Sequence, residues 1–265
     1  MNKNIWDGDF KPTKIFGNLY FVGTVPASVH IVDTGDGLIV FDTGYDESLD
    51  LVIEHIQEIG FSVNNIKSIF ITHGHIDHMG GAKRLKDLSG AKIYLGKEDE
   101  KSATGVKDLS FAKELGMEFT QTFVPDVLID DGDVFTMGNT TVRAVATPGH
   151  TLGAMSYFFN VTDGNETFIA GLHGGMGVNS LTTGYLIKHN LPFELRSDYA
   201  NSMYRLSKEK VDIFLGNHMQ HNHTEEKSKQ LKYGNLKAFV NPNEWKEYNL
   251  WCLKYLKDMI ENENK

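Results

Sequence analysis

Thr72-His73-Gly74-His75-Ile76-Asp77-His78-Met79-Gly80-Gly81 sits where a β-rich run, Lys67-Ser-Ile-Phe-Ile-Thr72, stops and a helical pattern begins. While the backbone stays extended, His73 and His75 lie two residues apart and project to the same side. Asp77 and His78 follow in the turn into the helix, adding a carboxylate and a third imidazole. Gly80-Gly81 lets another stretch of backbone pass close behind them. Imidazole and carboxylate are the ligands of hydrolytic zinc, and four of them in six residues exceed what one tetrahedral ion with an open position takes. They suit two ions roughly 3.5–4 Å apart, each completed by histidines from elsewhere in the chain.

Two later strand ends offer those histidines. In Thr147-Pro148-Gly149-His150-Thr151 a proline and a glycine force a turn directly after a strand and hold His150 over the sheet edge. Leu215-Gly216-Asn217-His218 ends the last buried strand in the same way. A cysteine-based zinc site is excluded, because the chain has one cysteine, Cys252, which falls at helical spacing with Trp245 and Leu256 and reads as a packing residue.

The 265 residues include 26 Lys or Arg and 35 Asp or Glu, a formal charge of −9. This acidic balance argues against a nucleic-acid backbone as partner. At 40% hydrophobic residues the chain can build a packed core, which excludes disorder as its main state. No apolar run approaches the roughly 18 residues of a membrane span. Met1-Asn-Lys-Asn-Ile-Trp-Asp carries no signal-peptide core, so the expected location is cytoplasmic and no membrane partner is expected.

Outward from the motif, strands are expected at 19–23, 28–32 and 37–41, with Gly35-Asp36-Gly37 as a hairpin turn between the last two. Asp46 to Ile59 has helical apolar spacing and stops at Gly60, and a second helix is expected over 79–88, followed by a strand at 91–95. Residues 97–117 read as a broken helix. A second β-rich block covers 133–170, then a helix over 194–206, a strand over 211–215, and helices over 225–239 and 243–260. Strands, then helix and strand, occur twice without an intervening linker. The expected fold class is therefore α/β (α+β): one domain, residues 1–265, built as a four-layer α/β/β/α sandwich.

The succession of His73-x-His75-x-Asp77-His78, the Pro148-Gly149-His150-Thr151 loop and a late strand-end histidine resembles the metallo-β-lactamase superfamily, from about Lys14 to His218. The resemblance implies a zinc-dependent hydrolase with two ions per chain. One would be held by His73, His75 and His150, the other by Asp77, His78 and His218, and a bridging hydroxide would be the nucleophile on a carbonyl substrate. It is closest to the β-lactamase subgroup with a three-histidine first site and an Asp-His-His second site. Many hydrolases of the superfamily bridge the two metals with an Asp that here is replaced by Leu172 or Gly171, in Thr167-Phe-Ile-Ala-Gly-Leu-His173. That departure sets lactonases, thioester hydrolases and iron-containing redox relatives behind the β-lactamase-like reading as alternatives. Without the carboxylate the site carries one more positive charge, so an anionic small-molecule substrate is expected. Asp77 and His173 are the catalytic candidates. His173 follows Leu172 in a glycine-rich stretch, where it would contact substrate or remain a backbone-bonded loop histidine. His221 and His223 share the last histidine cluster, and Tyr185, Lys188 and His189 lie where a substrate loop belongs.

Overall fold

The computed structural model describes residues 4–264. Seven strands form the first sheet in chain order: β1 (Thr13–Phe16), β2 (Leu19–Phe21), β3 (His30–Asp33), β4 (Leu38–Phe41), β5 (Ile66–Phe70), β6 (Lys92–Gly96) and β7 (Val127–Ile129). The first four pair antiparallel through tight turns; from β4 onward the pairs are parallel. The second sheet holds β8 (Val134–Met137), β9 (Thr140–Ala146), β10 (Met155–Thr162), β11 (Thr167–Leu172) and β12 (Ile213–Leu215), in spatial order β12-β11-β10-β9-β8. Only β11 and β12 pair in parallel in this sheet.

Strand alternation divides the apolar side chains into three layers. In β4, Ile39 and Phe41 enter the core between the sheets while Leu38 and Val40 face the opposite way. In β10, Met155, Tyr157, Phe159 and Val161 enter that same central core, and Phe158 turns outward. Phe41 and Phe159 stack across the two sheets with ring centroids 4.6 Å apart and 10° between planes. Helices cover both outer faces. The first sheet buries Val40 and Ile69 against α1 (Leu49–Glu58), while α2 (Ile76–Met79) and α3 (Ala82–Ser89) add Met79, Ala82 and Leu85. Beyond α4 (Glu100–Ala103) and α5 (Thr183–Lys188), the second sheet buries Val145, Phe158 and Phe214 against α6 (Leu195–Leu206) and α8 (Glu244–Glu263). The result is the expected α/β/β/α sandwich, with α7 (Thr224–Lys232) between β12 and α8.

Three expected elements differ. The helix expected over 79–88 is two pieces, because Gly80-Gly81 passes under the loop at Gly44, whose carbonyl accepts from the Gly81 amide. The stretch 97–117 keeps only α4 and two short 3-10 turns, leaving Phe111 on an irregular segment and Leu115 at the end of the second turn. The helix expected over 225–239 ends at Lys232. In the tail, Trp245, Asn249, Cys252 and Leu256 form the buried face of α8, as their spacing requires.

His30 opens β3 fully inside the protein, its ring edge-on to Phe21. Burial lowers its pKa from 6.5 to about 3. A histidine held neutral when folded but free to take a proton when unfolded favours the unfolded chain below about pH 6.5. Folding stability should therefore fall by about 2 kcal/mol between pH 7 and pH 5 on account of His30, at about 1.4 kcal/mol per pH unit. Urea denaturation of the wild-type protein and His30→Met at both pH values measures this: the variant should lose less stability on acidification.

Candidate metal centre

β5 delivers the motif to the mouth between the two sheets, where Asp42 captures Thr72, two residues beyond the strand's end. Asp42 accepts from the Thr72 amide at 2.7 Å and the Thr72 hydroxyl at 2.8 Å. His75 is the last extended residue (φ −90°, ψ 150°) before α2, so Asp77 and His78 fall on that helix's first turn. The His73 and His75 rings meet edge to face, with centroids 4.8 Å apart.

A second carboxylate, Asp99, ties this loop to the one carrying His150. It accepts from the amides of Gly74 at 2.7 Å and Gly153 at 2.8 Å, and from the Thr151 hydroxyl at 2.6 Å. Gly149 has φ +137° and lies against the Tyr199 backbone, so a side chain there would push the loop away. Gly175, at φ +139°, leaves the space that the His150 ring fills. His218 follows β12, with its Nδ1 2.6 Å from the Pro26 carbonyl.

The hydrogen bonds fix which ring nitrogens are free. A carbonyl can only accept, so His150 Nδ1 donates to Gly177 at 2.6 Å and His218 Nδ1 donates to Pro26. The Thr72 hydroxyl proton goes to Asp42, which leaves its oxygen to accept from His73 Nδ1 at 3.0 Å. Each of these rings then turns an Nε2 lone pair inward. His73 and His150 present theirs to each other at 3.2 Å, a contact between two acceptors that only a cation turns into attraction. Burial, reinforced by the neighbouring histidines, holds His73 and His75 well below the ordinary histidine range, and burial takes His150 to about 4.

The other half attracts positive charge even more directly. His78 donates through Nδ1 to Asp42 at 2.8 Å, while its Nε2 lies 3.3 Å from Asp77 and has no well-formed hydrogen bond. Burial disfavours a charged ring here, but Asp77 and Asp42 outweigh it and push His78 up to about 10. A proton is the smallest cation that answers this demand. Asp77 in turn stays ionised far below the usual carboxylate range: burial opposes the charge, but His78 and His218 hold it. His218 Nε2 is 3.5 Å from the same carboxylate oxygen.

Among the described residues, His73 with His75 and His150, and His73 with Asp77 and His78, bring ligand atoms within 4.8 Å of one another. All six sequence-derived ligand candidates thus converge at one mouth. All of them except His78 line a cavity of about 500 Å³, together with Phe111, Leu115, Asn217, His221, Trp251 and Tyr255.

His173 is different. It is fully buried, with Nε2 3.3 Å from Asn249 and Nδ1 accepting the Gly175 amide at 3.1 Å, and it is not part of the cavity lining. In the structure His173, a catalytic candidate in the sequence, packs beneath the glycine-rich stretch and away from the cavity wall. Leu172 enters the core between the sheets. Lys188 and His189 both bind Glu114 at 2.8 Å, outside the cavity. His223 heads α7 in a left-handed conformation. Asp42 and Asp99 were not legible as site residues. For Asp42 a signal existed in Phe41-Asp42-Thr43-Gly44, an acidic turn directly after a buried strand, and Asp42 does adopt φ +59°.

Asp99→Ala removes the acceptor shared by both histidine loops and leaves two buried amides unpaired. Chemical denaturation should show a loss of at least about 3 kcal/mol, whereas a loss under about 1 kcal/mol would mean that Asp99 does not tie the loops together.

The model of the metallo-beta-lactamase superfamily matches residues 22–163, just over half of the chain. BJP-1, a subclass B3 metallo-beta-lactamase of Bradyrhizobium japonicum, superposes with TM-score 0.89 at 28% identity, covering 98% of this chain and 97% of that one. Native FEZ-1 metallo-beta-lactamase from Legionella gormanii gives TM-score 0.88 at 28% identity, covering 97% and 98%. A hydroxyacylglutathione hydrolase of Bartonella henselae is 32% identical over 127 residues, 46% of this chain and 43% of that protein. The chain thus spans less than half the length of that relative. With the sandwich, the convergent histidines and these likenesses together, the chain belongs to the metallo-β-lactamase superfamily.

Proposed function

We propose that this protein is a dinuclear zinc hydrolase acting on a carbonyl substrate in the manner of a β-lactamase. The observation that carries the reading is the convergence of Nε2 lone pairs from His73, His150 and His218 beside the ionised Asp77. His73, His75 and His150 would hold one ion, and Asp77, His78 and His218 the other. When bound, zinc supplies an acidified water as nucleophile and a Lewis acid for the carbonyl.

The chain's own residues prepare the site for that chemistry. Gly177, Pro26, Asp42 and Thr72 fix the ring orientations through the nitrogen that faces away from the centre. Burial keeps His73, His75 and His150 neutral, the form that offers a lone pair. Asp77 is the one carboxylate among the described lining residues, and because it stays ionised it would act in the chemistry as a metal ligand and hydrogen-bond acceptor. The full-length likeness to subclass B3 enzymes favours β-lactam-like cyclic amides. The likeness to a hydroxyacylglutathione hydrolase, over less than half of each chain, favours a thioester as the second reading.

Elemental analysis should find close to two zinc ions per chain. His75→Ala should lose metal and hydrolysis together across a panel of β-lactams, lactones and thioesters; full activity in this variant would overturn the assignment. Asp77→Asn should retain about one ion, because an amide is a weaker, uncharged ligand; two equally tight sites in that variant would remove Asp77 from the ligand set. Asp42→Asn tests the support beneath His78. Asparagine tolerates the left-handed backbone of Asp42, so the fold should persist while zinc affinity drops about 10- to 100-fold in a competition titration.

A further inference from the structure

Trp251 and Tyr255 lie outside the packed face of α8. Trp245, Asn249, Cys252 and Leu256 carry the buried side of the helix. Tyr248, Trp251 and Tyr255 fall at i, i+3 and i+7 on another side and stack as a ladder. Tyr248 and Trp251 have ring centroids 5.9 Å apart at 26°, and Trp251 and Tyr255 are 5.1 Å apart at 14°. The inner rung, Tyr248, packs on His173, His221 and Phe214. The outer rungs remain open: Trp251 is 48% exposed and Tyr255 37% exposed, and both line the cavity that contains His73, His75, Asp77, His150 and His218.

Phe111 and Leu115 contribute further apolar surface to that cavity. Phe111 is held in place by a stack on Tyr185, at 5.5 Å and 30°, and by contact with the His75 ring at 5.2 Å. The described lining contains no lysine or arginine, and its polar members beyond the ligand candidates are neutral asparagine, glutamine, histidine and tyrosine side chains. Lys188, the cation that the sequence places nearest, is bound to Glu114 instead. An anionic substrate would therefore meet full positive charge only at the metals, and only neutral donors along the walls.

The geometry points to Trp251 and Tyr255 as a specificity platform that receives a flat aromatic group on an uncharged substrate, while the reacting carbonyl lies over the histidine mouth. This rests on the hydrolase reading for the reaction, but the platform itself is a binding surface. A flat ring laid on the exposed end of the ladder, where Tyr255 follows Trp251, gains stacking beyond its buried area, an effect of about two- to twelvefold in affinity. A saturated ring of similar size cannot match this, because it lacks a π face.

The test is calorimetric titration of the zinc-loaded protein with three probes: 2-naphthylacetamide, its ring-saturated counterpart decahydro-2-naphthylacetamide, and the naphthyl amide bearing a carboxylate at the far end of the ring. The aromatic amide should bind at least about twofold more tightly than the saturated one. Trp251→Ala and Tyr255→Ala should each erase most of that preference, and Trp251→Phe should keep it. The far carboxylate should bring no gain. Thermal melting of the variants should stay near wild type, as expected for half-exposed side chains, which separates loss of binding from loss of fold. Equal binding of the aromatic and saturated amides, or an unchanged preference in both alanine variants, would overturn the platform. Tighter binding of the carboxylate probe would overturn its uncharged character. If the panel of β-lactams, lactones and thioesters is not hydrolysed but the Trp251-dependent preference persists, the hydrolase reading fails and the platform stands. If the panel is hydrolysed and that preference is missing, the platform fails and the hydrolase reading stands.

Discussion

The site depends on one electrostatic constraint: several buried rings spend their Nδ1 proton on an outward acceptor and turn Nε2 toward a common point. Gly177, Pro26, Thr72 and Asp42 supply those acceptors from four different parts of the chain. Converging lone pairs inside a protein repel one another unless a cation joins them. The surrounding fold must therefore hold the rings together against that repulsion. It does so with the two aspartates behind them, Asp42 under Thr72 and His78, and Asp99 between the His73–His75 loop and the His150 loop. The central core anchors the strands from which these loops emerge, with Phe41, Phe70, Tyr157 and Phe159 in contact across the sheets.

The ligand candidates were legible because their chemistry is concentrated. Four metal-binding groups in six residues at a strand end leave few alternatives, and His150 and His218 each follow a strand through a short glycine-containing turn. The layered fold was legible too, since strands followed by helix and strand occur twice without a linker, and α8 repeats at helical spacing. Asp42 and Asp99 were not, because a single aspartate in a turn looks the same whether it faces water or holds two loops. Their roles arise only when Thr72, Gly74 and Gly153 are brought to them from distant positions. His173 shows the converse. Its glycine-rich surroundings suggest an open loop, yet those glycines allow close packing, and the ring ends beneath Trp245 and Tyr248.

The walls of the cleft diverge from what the centre alone suggests. A site with one carboxylate and two divalent ions favours anions, and the expectation of an anionic substrate followed from that charge. The wall residues are instead apolar or neutral, with Trp251 and Tyr255 facing into the cavity and Phe111 and Leu115 also lining it. On the proposed reading, chemistry and selectivity reside on separate elements. The mouth between the sheets carries the reactive groups, while α8 and the irregular segment after α4 shape what reaches them.

Long-range proton–nitrogen correlation NMR of the histidine rings in the zinc-loaded protein tests the central claim most directly, because it reads which ring nitrogen carries the proton and which meets the metal. The account predicts that His73, His78, His150 and His218 keep the proton on Nδ1 and show zinc-shifted Nε2 resonances. A proton on Nε2 of His150 or His218 in the zinc-loaded protein, or ring signals that zinc leaves unmoved, would contradict it.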